Sequence, residues 1–489
     1  MNALVARTFF KSPPTENTLE IAKDSSFYKF IKKLYDINKD LNDEELKETN
    51  SDAYSYLLLK KADLLRNSPD ARVEMLLQLT AYNNQNQYYS EAITSQITAA
   101  ALVAESLYHL GHITENFKDP IQKFCIPCPS AMSEIYPKDL LKDIPKLKGF
   151  CTSKYFNEYS MIYLITNAQD SCKRANLFEL SAKLHTLLLP IAESRQLWQL
   201  LKKNFNTGCF IWKVIGNVNS TTDRNLGTYY RVQFQRGKGV VNYIYRETKF
   251  ANLWQVCERI QKSAQYDAGG KTVVISNQGE ELDPSQFEDD KYYVHVKSVN
   301  QYFTPEERKK RITVFEQNHN ISKFYFDLPF SKSSQSSIEN CWLKRFIFTT
   351  PHPMPFIVNR VEIPKENIET YTFSPIEYSC QNLQKQIDLL TEEIARKDAP
   401  AIQLLLQGSL LVQVNEGPQK IAEVFLGSGE ENEHKPKLRN IFRQFLEAAA
   451  AATKVHGEYV KSHPVFAVLQ EELESSLNRL NSVIQTYLK

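Results

Sequence analysis

Apolar residues recur at helical spacing from about Thr18 to Asn206, alternate with polar residues through the middle third, and return to helical spacing from Ser374 onward. The first region predicts successive helices. One start lies at Ser68-Pro69, where a capping hydroxyl precedes a first-turn proline and Val73, Leu76 and Leu77 follow on one face. Between Tyr88 and Leu110 the stripe Ala92, Ile93, Gln96, Ile97, Ala100, Val103, Ala104 and Leu107 is rich in small residues, which permit close approach of a neighbouring helix. Such alanine-rich pairs suit stacked helical repeats, although no period is sustained over three repeats. Pro120, Pro127, Pro129, Pro137 and Pro145 interrupt the pattern. Helices resume over residues 154–167 and 177–203, the second expected to kink or split at Pro190.

At about Cys209 the period changes to alternation. Tyr229, Arg231, Gln233 and Gln235 alternate with Tyr230, Val232 and Phe234; after Arg236-Gly237-Lys238-Gly239 a run over 240–245 predicts the return arm of a β-hairpin. Further strands are expected at 272–275, 292–299, 322–326, 343–349 and 356–363, with a helix over 253–263. Aromatic and β-branched enrichment favours an antiparallel sheet over a parallel one.

The last third opens on Ser374-Pro375-Ile376-Glu377, a capping box in which the serine accepts an orphan N–H and Glu377 reaches back. Ile376, Cys380, Leu383, Ile387, Leu390 and Ile394 follow at alternating spacings of four and three, a coiled-coil-like stripe. The next apolar run, through Leu404 and Gln407, is expected to fail at Gly408. An exposed segment from Ser409 to Gly417 follows, then a helix restarts at Pro418 and closes at Gly427, a residue tolerant of positive φ. Leu410, Leu411, Val412 and Val414 make this inserted loop unusually apolar, so they need either a core or a partner. Helices over 438–456 and 465–488 complete a bundle. The pattern predicts an α+β chain of three lobes: a helical-repeat-like array over 1–208, an antiparallel β-sheet lobe over 209–368, and a four-helix bundle over 369–489 with a loop inserted in one helix.

The 489 residues exceed what one core normally serves. Fifty-nine basic against fifty-seven acidic residues leave a net charge of +2, which gives no overall field to hold a polyanion, so nucleic acid is not expected as a partner. The basic run Arg308-Lys309-Lys310-Arg311 follows Glu306-Glu307 and reads as a solvated helix face. Eight cysteines are scattered, with only Cys125 and Cys128 close together, and all read as free thiols of a reducing compartment. No secretory signal and no membrane span are evident, so a cytoplasmic protein without direct membrane insertion is expected, recruited to a membrane, if at all, by other regions or partners. Ala268-Gly269-Gly270-Lys271-Thr272 resembles the end of a phosphate-binding loop but has Gln265 where a glycine is required, and leads into a strand; it reads as a turn. His109 and His112 lack acidic companions at metal-ligand spacing and read as helix-end residues. Neither metal, cofactor nor covalent catalysis is expected.

Several strings carry a resemblance to a known family. They are Tyr89-Ser90-Glu91-Ala92, Tyr229-Tyr230-Arg231-Val232-Gln233-Phe234, Tyr243-Ile244-Tyr245-Arg246-Glu247, Val299-Asn300-Gln301-Tyr302-Phe303, Phe373-Ser374-Pro375-Ile376-Glu377, and Leu406-Gln407-Gly408-Ser409 through Val414-Asn415-Glu416-Gly417-Pro418. From roughly Ser68 onward the chain resembles the catalytic domain of the dedicator of cytokinesis (DOCK) family, guanine nucleotide exchange factors for Rho-family GTPases. No counterpart of the family's lipid-binding region, usual upstream, is expected within these residues. The resemblance implies a first lobe that dimerises, and second and third lobes that hold a Rac-like or Cdc-type GTPase. It also implies a nucleotide-sensor valine in the inserted loop, here Val414. Leu404, Gln407, Asn415 and Gly417 are the nearest candidates for GTPase contacts, with Gly408 and Pro418 setting loop geometry. Homodimerisation is further expected from residues 177–203, whose apolar positions cover more than one helix face. The rival from another class is a non-catalytic scaffold binding proteins through its helical array.

Overall fold

The computed structural model describes the chain except residues 1–7, 10, 24–26, 114–116, 135–150, 219–223, 225, 248–250, 280, 333–336, 412–416, 428–432 and 489. Two compact units emerge, Met1–Phe326 with Ile347–Ile368, and Asp327–Phe346 with Glu369–Lys489.

In the first unit, α1 (Tyr28–Leu41), α2 (Ser51–Leu64), α3 (Pro69–Gln85) and α4 (Tyr89–His109) are followed by the short α5 (Pro120–Cys125) and by α6 (Glu158–Arg174), α7 (Phe178–Ser194) and α8 (Trp198–Val218). α2 to α4 and α6 to α8 pack largely on neighbours in sequence, and α6 also lies on α4. The same turn ends four of these helices. Gln87, Gly111, Asn176 and Gln196 adopt positive φ. In each case the next N–H reaches back to the carbonyl five residues earlier: Tyr88 to Asn83 at 2.8 Å, His112 to Leu107 at 2.8 Å, Leu177 to Cys172 at 2.9 Å and Leu197 to Ala192 at 2.9 Å. Three of the four positive-φ residues are not glycine, so the repeated connection carries no glycine signature. The long sequence stripe of α4 understates its burial: Ser90 to Leu107 are buried on every face, making α4 the central helix of this unit.

Three expectations change here. Residues 177–203 form parts of two helices, and the break is the positive-φ Gln196, not Pro190, which lies inside α7 near its C-terminal end. Helical structure continues past Cys209 to Val218, and strand structure begins at Thr228. Pro69 does open α3, but the Ser68 hydroxyl makes no capping bond.

The strands are β1 (Thr228–Arg236), β2 (Gly239–Glu247), β3 (Thr272–Ser276), β4 (Lys291–Gln301), β5 (Ile321–Ser331), β6 (Cys341–Met354), β7 (Arg360–Ile363) and β8 (Ile368–Phe373), in the order β7-β2-β1-β4-β5-β6-β8 with β3 on β4. β1 and β2 are joined by a two-residue loop led by Gly237 at φ 61°, in register from Arg236 opposite Gly239 to Thr228 opposite Glu247. The pairing of β3 with β4 is parallel, against the all-antiparallel expectation; the connection over residues 277–290 is long enough to return the chain to the same end. One face of the sheet packs Tyr230, Val232, Phe234, Val294 and Val296 against Val256, Ile260 and Ala264 of α9 (Leu253–Asp267). The opposite face is polar yet buried. Arg231, fully enclosed, donates to Asn242 Oδ1 at 2.8 Å and Glu281 Oε1 at 2.6 Å, with its guanidinium 4.9 Å from the Phe348 ring centroid.

The 268–272 segment is a turn, with Gly269 and Gly270 at φ 57° and 88° leading into β3. His109 closes α4 with Nε2 at 2.9 Å from Glu105 Oε1. Arg311, read as part of a solvated basic face, instead donates to the carbonyls of Glu316, His319 and Asn320.

In the second unit, α10 (Pro375–Arg396), α11 (Ala399–Leu406), α12 (Pro418–Gly427), α13 (Lys435–Val460) and α14 (Ala467–Leu488) share one core, with Leu383, Leu406, Leu438, Phe442, Phe445, Leu473 and Ile484 essentially inaccessible. The α10 stripe is buried from Ile376 to Leu390, with Ile394 partly covered.

Candidate functional site

The interrupted helix begins where α10 ends. Lys397 adopts φ 57°, Asp398 N–H returns to the Glu393 carbonyl at 3.2 Å, and the Asp398 carboxylate then caps α11 by accepting from Ala401 N at 3.1 Å. This reversal fixes where α11 starts. At the other end of α10, the backbone N–H and hydroxyl of Ser374 both donate to Glu377 Oε2, at 2.8 and 2.6 Å, and Pro375 occupies the first turn. Burial alone would raise the Glu377 carboxyl, but the Ser374 hydrogen bonds and nearby His434 hold it below the ordinary range.

Gly408 does not break α11. The chain widens into a π-helical turn over Gln407–Leu411, with the Ser409 hydroxyl donating to the Leu405 carbonyl at 2.8 Å. Gly408 is exposed, and a Cβ there would meet nothing within 4 Å, so its value is not close packing. Ser409 and Leu410 are buried and Leu411 packs on the core, correcting the expectation that the exposed segment begins at Ser409. Val412, Val414 and Asn415 lie outside the described residues. Gly417 is half-buried and its carbonyl accepts from Ile421 N at 3.1 Å, so it caps the helix that Pro418 opens. Gly427 ends the described part of α12 without positive φ; its Cα faces the Tyr487 ring, where a Cβ would come within 3.2 Å.

On the outer side of α11, Leu404 is 72% exposed, and Gln407, one turn on, is half-buried. Leu404 is thus an exposed leucine on the helix that leads into the π turn. The same bundle holds a polar cluster that no local pattern announces. His456 of α13 is fully buried, with Nδ1 2.6 Å from Gln470 Oε1 of α14 and Nε2 3.4 Å from Gln403 Oε1 of α11. The Gln470 amide nitrogen donates to Thr453 O at 3.2 Å and Glu474 Oε1 at 2.6 Å, which fixes its oxygen toward His456. α11, α13 and α14 are thereby tied together. The available sequence signal was a polar residue in otherwise apolar stripes.

A second surface lies on α8. Trp198, Phe205 and Trp212 are 65%, 51% and 58% exposed, and with exposed Cys209 they fall on one heptad-spaced face. The apolar residues of α7 that suggested a dimer face, Leu180, Leu184, Leu187, Leu188 and Ile191, are instead buried. The outward apolar surface belongs to the next helix.

Other strings quoted above form framework. Arg246 donates to Glu91 Oε1 at 2.7 Å, to Ser90 Oγ at 2.9 Å and to the Leu226 carbonyl, joining α4 to β2. Gly227, at φ 152°, leaves room for this: a Cβ there would lie 2.9 Å from Arg246 Nε. Arg259 bridges Asp52 and Glu247. Although burial favours its neutral form, Asp52 is held below the usual carboxylate range by Arg259, Arg360 and the Asn359 amide. All eight cysteines are free thiols. Among the described residues, no group of three acidic, His or Cys side chains could hold a metal, and no helix is long and apolar enough to cross a membrane.

Three stretches match successive parts of one family: residues 57–208 match DHR-2 Lobe A, 279–353 match DHR-2 Lobe B, and 389–487 match DHR-2 Lobe C. The chain is 26% identical over 448 residues to human dedicator of cytokinesis protein 7, covering 88% of this chain and 20% of that protein. It is 25% identical over 448 residues to human dedicator of cytokinesis protein 8, covering 88% and 21%. With mouse dedicator of cytokinesis protein 9 it is 27% identical over 443 residues, covering 84% and 21%. The chain thus spans about a fifth of the length of these relatives.

Proposed function

The chain belongs to the DHR-2 family of dedicator of cytokinesis proteins, and from that premise we propose that it is a guanine nucleotide exchange module for a Rac-like or Cdc-type Rho-family GTPase. The observation that carries the reading is the helix of the Lobe C match that opens through a π turn at Gln407–Leu411 and restarts at Pro418, beside exposed Leu404.

In this reading Val414 enters the Mg²⁺ site of the bound GTPase. Mg²⁺ needs a near-octahedral oxygen shell at about 2.1 Å, and an isopropyl group offers no ligand. Excluding the ion weakens the hold on the nucleotide phosphates and favours the nucleotide-free GTPase, which is differential binding rather than covalent chemistry. Accelerating release by about ten-thousand-fold requires roughly 5.5 kcal/mol of differential stabilisation, more than one valine supplies. Leu404, Gln407, Asn415 and Gly417 contribute the surrounding contacts, while Gly408 and Pro418 shape the opening. Leu410 is buried and Leu411 partly buried against the bundle core, which supports an anchor for the chain that leads to Val414.

The three-lobe division expected over 1–208, 209–368 and 369–489, with its first boundary moved to the end of α8 at Val218, gives the first lobe to dimerisation and the other two to the GTPase. The α8 face of Trp198, Phe205 and Trp212 supports a homodimer, because a contiguous exposed aromatic row is costly to leave in water. The protein acts in the cytoplasm. The test of the activity is release of fluorescent nucleotide from a panel of Rho-family GTPases: at least one member is accelerated, and no acceleration on any member refutes the reading.

A further inference from the structure

A cavity of about 150 Å³ lies in the first unit between α2 and the connection from β6 to β7. One side is apolar. Leu59, Phe356, Ile357 and Val361 wall it and are all buried, and His352 stacks on Phe356 with ring centroids 4.3 Å apart. The other side carries Arg66, Arg72 and Arg360 together with the carboxylates of Asp63 and Glu362. Burial holds His352 below its ordinary range, so at pH 7 it adds no charge.

The carboxylates already have donors. Asp63 Oδ1 accepts from Arg66 at 3.0 Å and from Arg72 at 3.3 Å, and Glu362 Oε2 accepts from the hydroxyls of Tyr56 and Tyr243, both at 3.3 Å. Arg360 is the group with donors unused. It is 9% exposed, and its guanidinium is held 5.0 Å from the Tyr243 ring centroid and 5.3 Å from that of Tyr56. Nη1 donates to the Tyr245 hydroxyl at 2.9 Å, while the buried Nε has no hydrogen-bond partner among the described residues. Asp52 lends Arg360 its charge but no hydrogen bond, since its oxygens accept from Tyr88, Asn359 and Arg259.

A buried guanidinium with unused donors at the wall of a cavity is complemented by an oxyanion inside it, and its planar fork matches a carboxylate. We infer that this cavity binds a short-chain carboxylate, with its oxygens on Arg360 and its aliphatic part against Phe356, Ile357 and Val361. Size sets the length. An apolar cavity of about 150 Å³ accepts benzene, so this one takes about six heavy atoms, the size of butanoate. The inference is independent of nucleotide exchange and fails or stands without it.

The test titrates the full chain at pH 7 with butanoate, with its neutral isostere butanamide and with inorganic phosphate, by calorimetry and ligand-observed NMR. Butanoate saturates one site and binds at least about tenfold more tightly than either comparison, the amide reporting on the charge and phosphate on the apolar wall. Arg360→Met removes the fork but keeps the length of the stem, and brings butanoate to the level of butanamide. His352→Trp, at a half-buried position on the cavity wall, fills the space and abolishes binding. Failure of butanoate to saturate, a preference below about tenfold over butanamide or phosphate, or wild-type affinity in either folded variant overturns the inference. Melting curves identify a variant that has not folded; if Arg360→Met is lost because Asp52 needs that charge, His352→Trp and the wild-type titrations decide.

Discussion

Arg246→Leu removes one end of the buried ion pair that joins α4 to β2. Glu91 has no exposed surface and Arg246 side-chain exposure is 3%; Glu91 Oε1 accepts from Arg246, and Oε2 has no hydrogen-bond partner among the described residues. The substitution therefore strands a buried carboxylate and also frees Ser90 Oγ and the Leu226 carbonyl. Breaking a buried pair from one side costs about 3–5 kcal/mol, much of it the desolvation of the charge left behind. Replacing both partners, Glu91→Leu with Arg246→Leu, removes that charge and costs less than the single variant, although Ser90 and Leu226 remain unsatisfied. Urea unfolding at pH 7 of wild type, both single variants and the double variant reads these differences. A loss below about 1 kcal/mol for Arg246→Leu, or a double variant as unstable as the two single losses combined, refutes the argument that an uncompensated buried charge dominates.

Val414→Ala leaves the melting temperature within about a degree while exchange falls about tenfold or more; a melting shift of several degrees with proportionate loss of GTPase binding would place Val414 in the core instead. Trp198→Glu with Trp212→Glu gives a monomer by light scattering with unchanged far-UV circular dichroism, and a wild-type chain that is monomeric at micromolar concentration removes the dimer. His319 is lowered to about 3 by burial and by Lys183, so between pH 6.5 and 3 the unfolded chain binds a proton that the fold refuses. Stability is full above about pH 6.5 and declines on acidification, by about 2 kcal/mol from this residue at pH 5; His319→Gln flattens that slope in urea titrations, and an unchanged slope counts against a neutral buried His319.

Local pattern determined where most elements lie. The Ser374–Glu377 box, the Gly237 hairpin, the α10 stripe and the restart at Pro418 are decided by groups a few residues apart, and the structure contains each. Resemblance in short strings pointed to the family, and the three lobe matches agree with it. The roles proposed for Val414 and Asn415 rest on that resemblance rather than on geometry.

Partners chosen across long sequence separations were decided only by the tertiary structure. Glu91 and Arg246 stand 155 positions apart, so neither reveals from its neighbours that it is buried and paired. His456, Gln470 and Gln403 meet because three helices converge, whereas each alone looks like a polar interruption of an apolar stripe. The helix ends at Gln87, Asn176 and Gln196 escaped a reading tuned to glycine, since backbone bonds to carbonyls five residues back hold those residues at positive φ. Apolar count could not separate α7 from α8 either. One is enclosed by its neighbours and the other presents an aromatic row outward, a difference fixed by which helices pack beside each and not by the composition of either.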